Sequence, residues 1–282
     1  MCSLLNVQRK SLSTKTDVGF ARQVVLIFGK FKFTLFINGG IAMAIVVGID
    51  GTGSAFLPGS GRDKEYDVAF ANSFVRQICN KTQGKKQYFR GPVALGGGLV
   101  DAINQGCSFI KSKYQQSPEP VLLTGYSRGA AGSVALAKKL KGVGIPVQAI
   151  MLFDCVDRHV VIDAEIIPDT VGNVLHVIRD PAASSRESFG NDGLSYHKGK
   201  TNYGIGPGDN GTAYKFMCTH GGMGGCPWKP EPGQSSSDFI NEGFGAGWYD
   251  GATKITFAQD QSVSAQVWAF CVPFLQRHGF IS

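Results

Sequence analysis

The chain has 282 residues, 43% of them hydrophobic, and a formal net charge of +7. That is enough apolar material for a large core, and it excludes a disordered chain. The charge excludes less than its size suggests: Arg9, Lys10, Lys15, Arg22, Lys30 and Lys32 face only Asp17 in the first 42 residues. The rest of the chain is within two charges of neutral, and no nucleic-acid partner follows from it.

Seven cysteines are scattered without a C-x-x-C pair, which reads as reduced thiols in a core rather than a disulfide framework. Cys218, His220 and Cys226 match no zinc spacing, so neither a metal nor another cofactor is expected. Near the N-terminus, Asn38, Gly39 and Gly40 interrupt an apolar stretch, which argues against a cleaved signal or a transmembrane helix. Met43 followed by Ala-Ile-Val-Val-Gly-Ile-Asp makes a natural start. Residues 1–42 therefore read as a loose extension or a misassigned start, and residues 43–282 as one domain. The location expected is cytoplasmic, or exported without a cleaved signal, with peripheral membrane contact compatible.

Ile45 to Ile49 is a short β-branched run ending in Asp50-Gly51-Thr52-Gly53-Ser54, a buried parallel strand feeding a glycine-rich turn. Two readings of that turn stay open. It resembles the first phosphate loop of actin-like and sugar-kinase ATPases, and it equally suits a loop offering an N–H to a developing oxyanion. No Walker Gly-Lys-Ser/Thr follows it. Apolar spacing predicts helix from Asp67 to Ile78, a short strand over Gln87 to Arg90, and a helix through Leu99, Ile103, Cys107, Ile110 and Tyr114, ended by Pro118 and Pro120.

Val121-Leu122-Leu123-Thr124-Gly125-Tyr126-Ser127-Arg128-Gly129-Ala130 follows, and the rest of the chain is organised around it. A strand-length apolar run enters Gly-x-Ser-x-Gly, and good helix formers continue to Lys141 and Gly142. This is the setting of a nucleophile elbow, in which the first N–H groups of the helix face the place where negative charge develops. Val147 to Phe153 is the next strand, ending in Asp154, and Asn173 to Ile178 another, ending before Asp180. Carboxylates at successive strand ends lie along the edge where open α/β sheets place their sites. Residues 181–212 read as a long active-site loop. Ala213 to Thr219 reads as a strand delivering His220 into a glycine cluster, and Gln259 to Val272 as a closing helix ended or kinked by Pro273. Alternating strands and helices imply an α/β three-layer sandwich with a mostly parallel central sheet.

Among the histidines, His220 alone stands after a strand and before glycines, downstream of Ser127 and Asp154. Ser, Asp, His is the chain order of α/β-hydrolases. His159, His176, His197 and His278 have plainer readings as core, loop or helix-end residues. Asp154 and Asp180 both remain candidates for the acid. Asp154 ends the more apolar strand, where a buried carboxylate needs a partner; Asp180 before Pro181 has the setting of a turn or cap residue.

Asp50-Gly51-Thr52-Gly53, Gly125-Tyr126-Ser127-Arg128-Gly129-Ala130-Ala131, Leu152-Phe153-Asp154-Cys155-Val156 and His220 with its glycines resemble the α/β-hydrolase family that includes the phospholipase effectors of type VI secretion. The chain differs in carrying Gly221-Gly222-Met223 where the family has a small residue, Asp and Val. The resemblance implies Ser127 as nucleophile, His220 as base and Asp154 as acid, with a lipid or small-molecule ester as substrate. The expectation is a serine esterase acting through an acyl-enzyme, with an oxyanion held by the N–H of Arg128 and one from Gly51 or Thr52. Arg128's side chain is expected to pair with a carboxylate such as Asp50. The alternatives are a non-catalytic binding protein of the same fold and the phosphate-binding ATPase.

Overall fold

The computed structural model describes residues 21–28, 31–38, 43–53, 63–157, 162–164, 166–189, 195–196, 214–245, 248–249 and 251–282. Ser54, His159, His197 and most of the long loop expected over 181–212 lie outside the described residues. The chain divides into two units, Met1–Ala42 and Met43–Ser282. In the first, Ala21–Phe28 and Phe31–Asn38 pair as an antiparallel hairpin, with Ala21 opposite Asn38. A translation start at Met43 stands as a proposal that the intact mass of the native protein decides.

In the second unit, short runs line up as strands, apolar and buried in the centre of the sheet and more polar at its two edges. They are β1 (Ile45–Ile49), β2 (Lys85–Phe89), β3 (Val121–Tyr126), β4 (Val147–Phe153), β5 (Val171–Arg179) and β6 (Tyr214–Phe216). They form one parallel sheet in the order β6-β5-β4-β3-β1-β2. Alternate side chains of β1 go to opposite faces: Ile45, Val47 and Ile49 to one core, Val46 to the other. Both faces are therefore covered, as an all-parallel sheet requires. On the first face lie α3 (Leu99–Gln116) and α4 (Arg128–Gly142), through Leu99, Ile103, Val134 and Leu140. On the second lie α2 (Phe74–Lys81) and α6 (Phe257–Arg277), through Phe74, Ile78, Cys271 and Phe274. The result is a three-layer α/β sandwich. Among the described residues no helix is long and apolar enough to cross a membrane.

The chain leaves β1 toward the edge strand β2 but leaves β3 toward β4, so the sheet's switch point falls between β1 and β3. Open α/β sheets bind ligands in the crevice at that place. Ile49 pairs with Gly125 there, which sets the residues after β1 beside the serine turn.

Local differences from the sequence reading have simple causes. The helix expected over Asp67 to Ile78 is two, α1 (Asp63–Ala69) and α2, because Ser73 breaks the run and caps α2 by accepting from the Arg76 N–H. Pro273 sits inside α6, which continues to Arg277. β6 stops at Phe216, and Thr219 then caps the single helical turn α5 (His220–Met223) by accepting from Gly222 N–H. A small antiparallel pair, β7 (Phe239–Asn241) and β8 (Ala252–Thr256), leads straight into α6.

Candidate active site

Ser127 sits between β3 and α4 with φ 55° and ψ −127°, a left-handed backbone setting that a serine adopts only under constraint. The constraint is visible in its neighbours: Ser127 N–H donates to Phe153 O at 3.0 Å, and its carbonyl accepts from Val156 N–H at 3.2 Å. Both motif glycines are needed for close backbone approach. A Cβ on Gly125 would lie 2.5 Å from Gly129 O, and one on Gly129 would lie 2.2 Å from the carbonyl oxygens of Ile49 and Asp50.

The fold brings Ser127, His220 and Asp154 together. His220 Nε2 lies 2.9 Å from Ser127 Oγ, and its Nδ1 lies 2.7 Å from Asp154 Oδ2. All three are buried, Asp154 completely. Asp180 goes elsewhere: its carboxylate accepts from Ala182 N–H at 2.9 Å and caps the short 3-10 turn Pro181–Ala183. His176 is a fully buried β5 residue whose Nε2 accepts from Cys155 N–H at 3.2 Å, and His278 follows the end of α6.

The electrostatics separate the partners. Burial pushes the Asp154 carboxyl up, but the Arg179 guanidinium and the bond to His220 outweigh it and hold the group at about 2. Burial pushes His220 below the ordinary histidine value, and the charges of Arg179 and Arg186 add to that against the pull of Asp154. The imidazole is thus set up neutral, the state a general base needs. Both ring nitrogens are engaged within the site, and among the described residues no three or more His, Cys, Asp and Glu side chains gather as a group that could hold a metal ion.

The loop after β1 treats the expected N–H donors differently. Gly51 N–H, one of two expected candidates, is taken by Asp50 Oδ1 at 2.9 Å, and Gly53 N–H is taken by Pro92 O at 3.0 Å. Thr52 is left between them, its Oγ1 buried without a hydrogen-bond partner. With the Gly51 and Gly53 N–H groups both engaged within the protein, the loop is poorly suited to cradle a phosphate. The expected Arg128–Asp50 pairing does not form. Arg128 Nη1 instead donates to Ala94 O at 2.6 Å, because Asp50 points to the other side and is satisfied by Ser73, by Tyr88 OH at 2.9 Å and by Gly51 N–H.

Sequence reasoning missed the residues that hold the histidine and the acid. Asp260 of α6 accepts from Thr219 N–H at 2.8 Å, Thr219 Oγ1 at 2.9 Å and Trp228 N–H at 2.9 Å. Ser185 Oγ accepts from His220 N–H at 2.8 Å and donates to the buried Glu242 at 3.1 Å. Tyr126 OH donates to His220 O at 2.9 Å. The glycines after His220 make room for these clamps, since a Cβ on Gly222 would lie 2.4 Å from Asp260 and one on Gly224 2.6 Å from the Tyr126 ring. Arg179, last in β5, donates from Nη1 to Asp154 Oδ2 at 2.7 Å. A signal existed in two cases: a lone arginine closing an apolar strand and a lone aspartate on the apolar face of α6 both demand partners if buried.

A parallel sheet carrying a strained serine between strand and helix at its switch point defines an α/β-hydrolase-like fold. No protein-family model matches the chain, and no curated protein sequence matches it. Among solved structures it is similar to the Tle1 effector, solved bound to the VgrG spike of the type 6 secretion system, at 14% identity and a TM-score of 0.39 over 73% of this chain and 57% of that one. It is also similar to the hormone-sensitive-lipase homologue EstE7 from a metagenome library, at 14% identity and 0.30 over 48% and 44%. An arylesterase follows at 15% identity and 0.28 over 51% and 49%. The chain thus spans about half the length of the structures it matches, and likenesses this distant carry no argument about activity.

Proposed function

We propose that the protein is a serine hydrolase that cleaves a carboxylic ester, small or lipid-like, through an acyl-enzyme. The observation that carries this reading is the relay from Ser127 Oγ through His220 to Asp154 Oδ2, at 2.9 and 2.7 Å, built on a strained strand-to-helix turn. Ser127 Oγ attacks the ester carbonyl carbon while His220 Nε2 takes the hydroxyl proton. Asp154 keeps the Nδ1–H tautomer in place and stabilises the imidazolium. The tetrahedral oxyanion is held by the N–H of Arg128, first residue of α4, and by Thr52 through its N–H and its buried Oγ1. Collapse expels the alcohol, which takes its proton from His220, and water then clears the acyl group by the same steps reversed.

Labelling by a fluorophosphonate probe tests the reading. Covalent modification at Ser127, absent in Ser127→Ala, together with turnover of nitrophenyl esters supports it, and a panel of acyl lengths sets the range. A folded protein that neither labels nor turns over any ester would be a non-catalytic binding protein of the same fold.

A further inference from the structure

Asp154 Oδ2 serves two masters. It lies 2.7 Å from His220 Nδ1 and also 2.7 Å from Arg179 Nη1, while Oδ1 accepts from Arg179 N–H at 3.2 Å. The arginine is only 3% exposed, so its charge is poorly screened. The rest of its fork is fixed too: Nε donates to Ser185 O at 2.8 Å and Nη2 to Arg186 O at 3.0 Å. It therefore ties the carboxylate to the segment whose Ser185 holds His220 N–H and whose Phe189 ring stands edge-on to the imidazole at 5.3 Å. That segment needs holding, since Ser184 and Arg186 have φ of 50° and 45°.

We propose that Arg179 is a positioning residue which, by sharing Asp154 Oδ2 with His220, weakens the carboxylate's hold on the imidazolium and extends the enzyme's working range to acid pH. The proposal rests on the hydrolase reading of the same site. A carboxylate paired with the imidazole alone favours the cation fully; one already neutralised by a guanidinium favours it less, and the guanidinium repels it as well. The other groups around His220 do not reverse this. Arg186 adds a second positive charge, which Glu242 faces at 3.7 Å. Tyr126 is held neutral by burial, and Asp260 is engaged by Thr219 and Trp228. His220 thus stays a neutral base at pH values where an ordinary Asp–His pair would already hold the proton.

The test compares Arg179→Met and Arg179→Lys with wild type in kcat/KM against pH. Loss of the charge in Arg179→Met should raise the acid limb by about one pH unit. Arg179→Lys keeps the charge but loses the fork, and should keep the limb near its wild-type position while its plateau falls. A limb that stays put in Arg179→Met, or that moves equally in both variants, overturns the proposal; a merely structural arginine would lower the plateau and leave the limb alone. If Arg179→Met does not fold, Arg179→Gln, which keeps a neutral donor toward Asp154, carries the same comparison. The His220 imidazole can also be titrated by NMR, its signal identified by its absence in His220→Gln. That midpoint should rise in the charge-free variant whether or not the protein turns over ester, so a failed hydrolase reading and a failed Arg179 proposal give different results.

Discussion

Asp50 and Asp154 stand just past the ends of two strands of one sheet, β1 and β4, both without solvent exposure, yet they are opposite kinds of acid. Asp50 accepts hydrogen bonds from neutral donors, Ser73, Tyr88 and the Gly51 N–H, with the charge of Arg76 a weaker influence, and burial wins, raising its carboxyl to about 6. Asp154 meets Arg179 and His220, and they carry its carboxyl down to about 2. Burial alone does not fix the charge of a carboxylate; the charge of its partners does. One aspartate is thereby suited to hold a loop, and the other to stand by an imidazolium.

The strongest way to break this contrast is to remove what Asp154 is proposed to serve. Ser127→Ala should lower ester turnover about a million-fold if the relay acts as a unit, with the fold intact by circular dichroism; unchanged turnover ends the assignment. Next, Asp154→Asn should cost about four orders of magnitude in kcat, because an amide favours the wrong histidine tautomer. Asp180→Asn should stay near wild type in the same assay, and Asp50→Asn should lose far less than Asp154→Asn. A dead Asp180→Asn beside an active Asp154→Asn would move the acid to the later strand.

A smaller effect probes the loop that Asp50 holds. Thr52→Val removes the unpaired hydroxyl at nearly constant volume and should lower kcat about a hundredfold with KM little changed, while Thr52→Ser recovers most of it. Equal loss in both variants would assign Thr52 to packing. In wild type, the acid limb of kcat/KM should fall below the ordinary histidine value of 6.5, since burial and two arginines favour the neutral ring.

The smallest effect is on stability. Asp50's folded value lies above its ordinary 3.8, so its ionisation opposes folding; the penalty is full above about 6 and fades as pH falls toward 3.8. Asp154's value lies below the same reference, so its contribution favours folding above 3.8 and is lost as pH falls through about 2. Asp50→Asn should therefore gain on wild type by on the order of 2 kcal/mol between pH 4 and pH 7, read from chemical denaturation at both. A difference that does not change with pH would mean that Asp50 is ionised without cost.

Much of this was open to a reader of the sequence alone. Apolar runs of strand length alternating with helical spacing determined a parallel α/β sheet, because both faces of such strands must be covered. Gly125 and Gly129 around Ser127, and His220 before its glycines, marked the serine and histidine, because tight backbone approach leaves only glycine possible. Asp154 was separable from Asp180 only by the company each kept. The rest was decided by tertiary structure. Gly51 lost its N–H to Asp50, Arg128 turned to Ala94, and Arg179, Ser185, Glu242 and Asp260 closed on the acid and the histidine from distant parts of the chain. Hydrogen-bond partners of buried polar groups are chosen by which atoms the folded backbone brings within 3 Å, and residues 25 to 41 positions apart, such as Asp154 with Arg179 or Thr219 with Asp260, leave no periodicity from which that choice can be read.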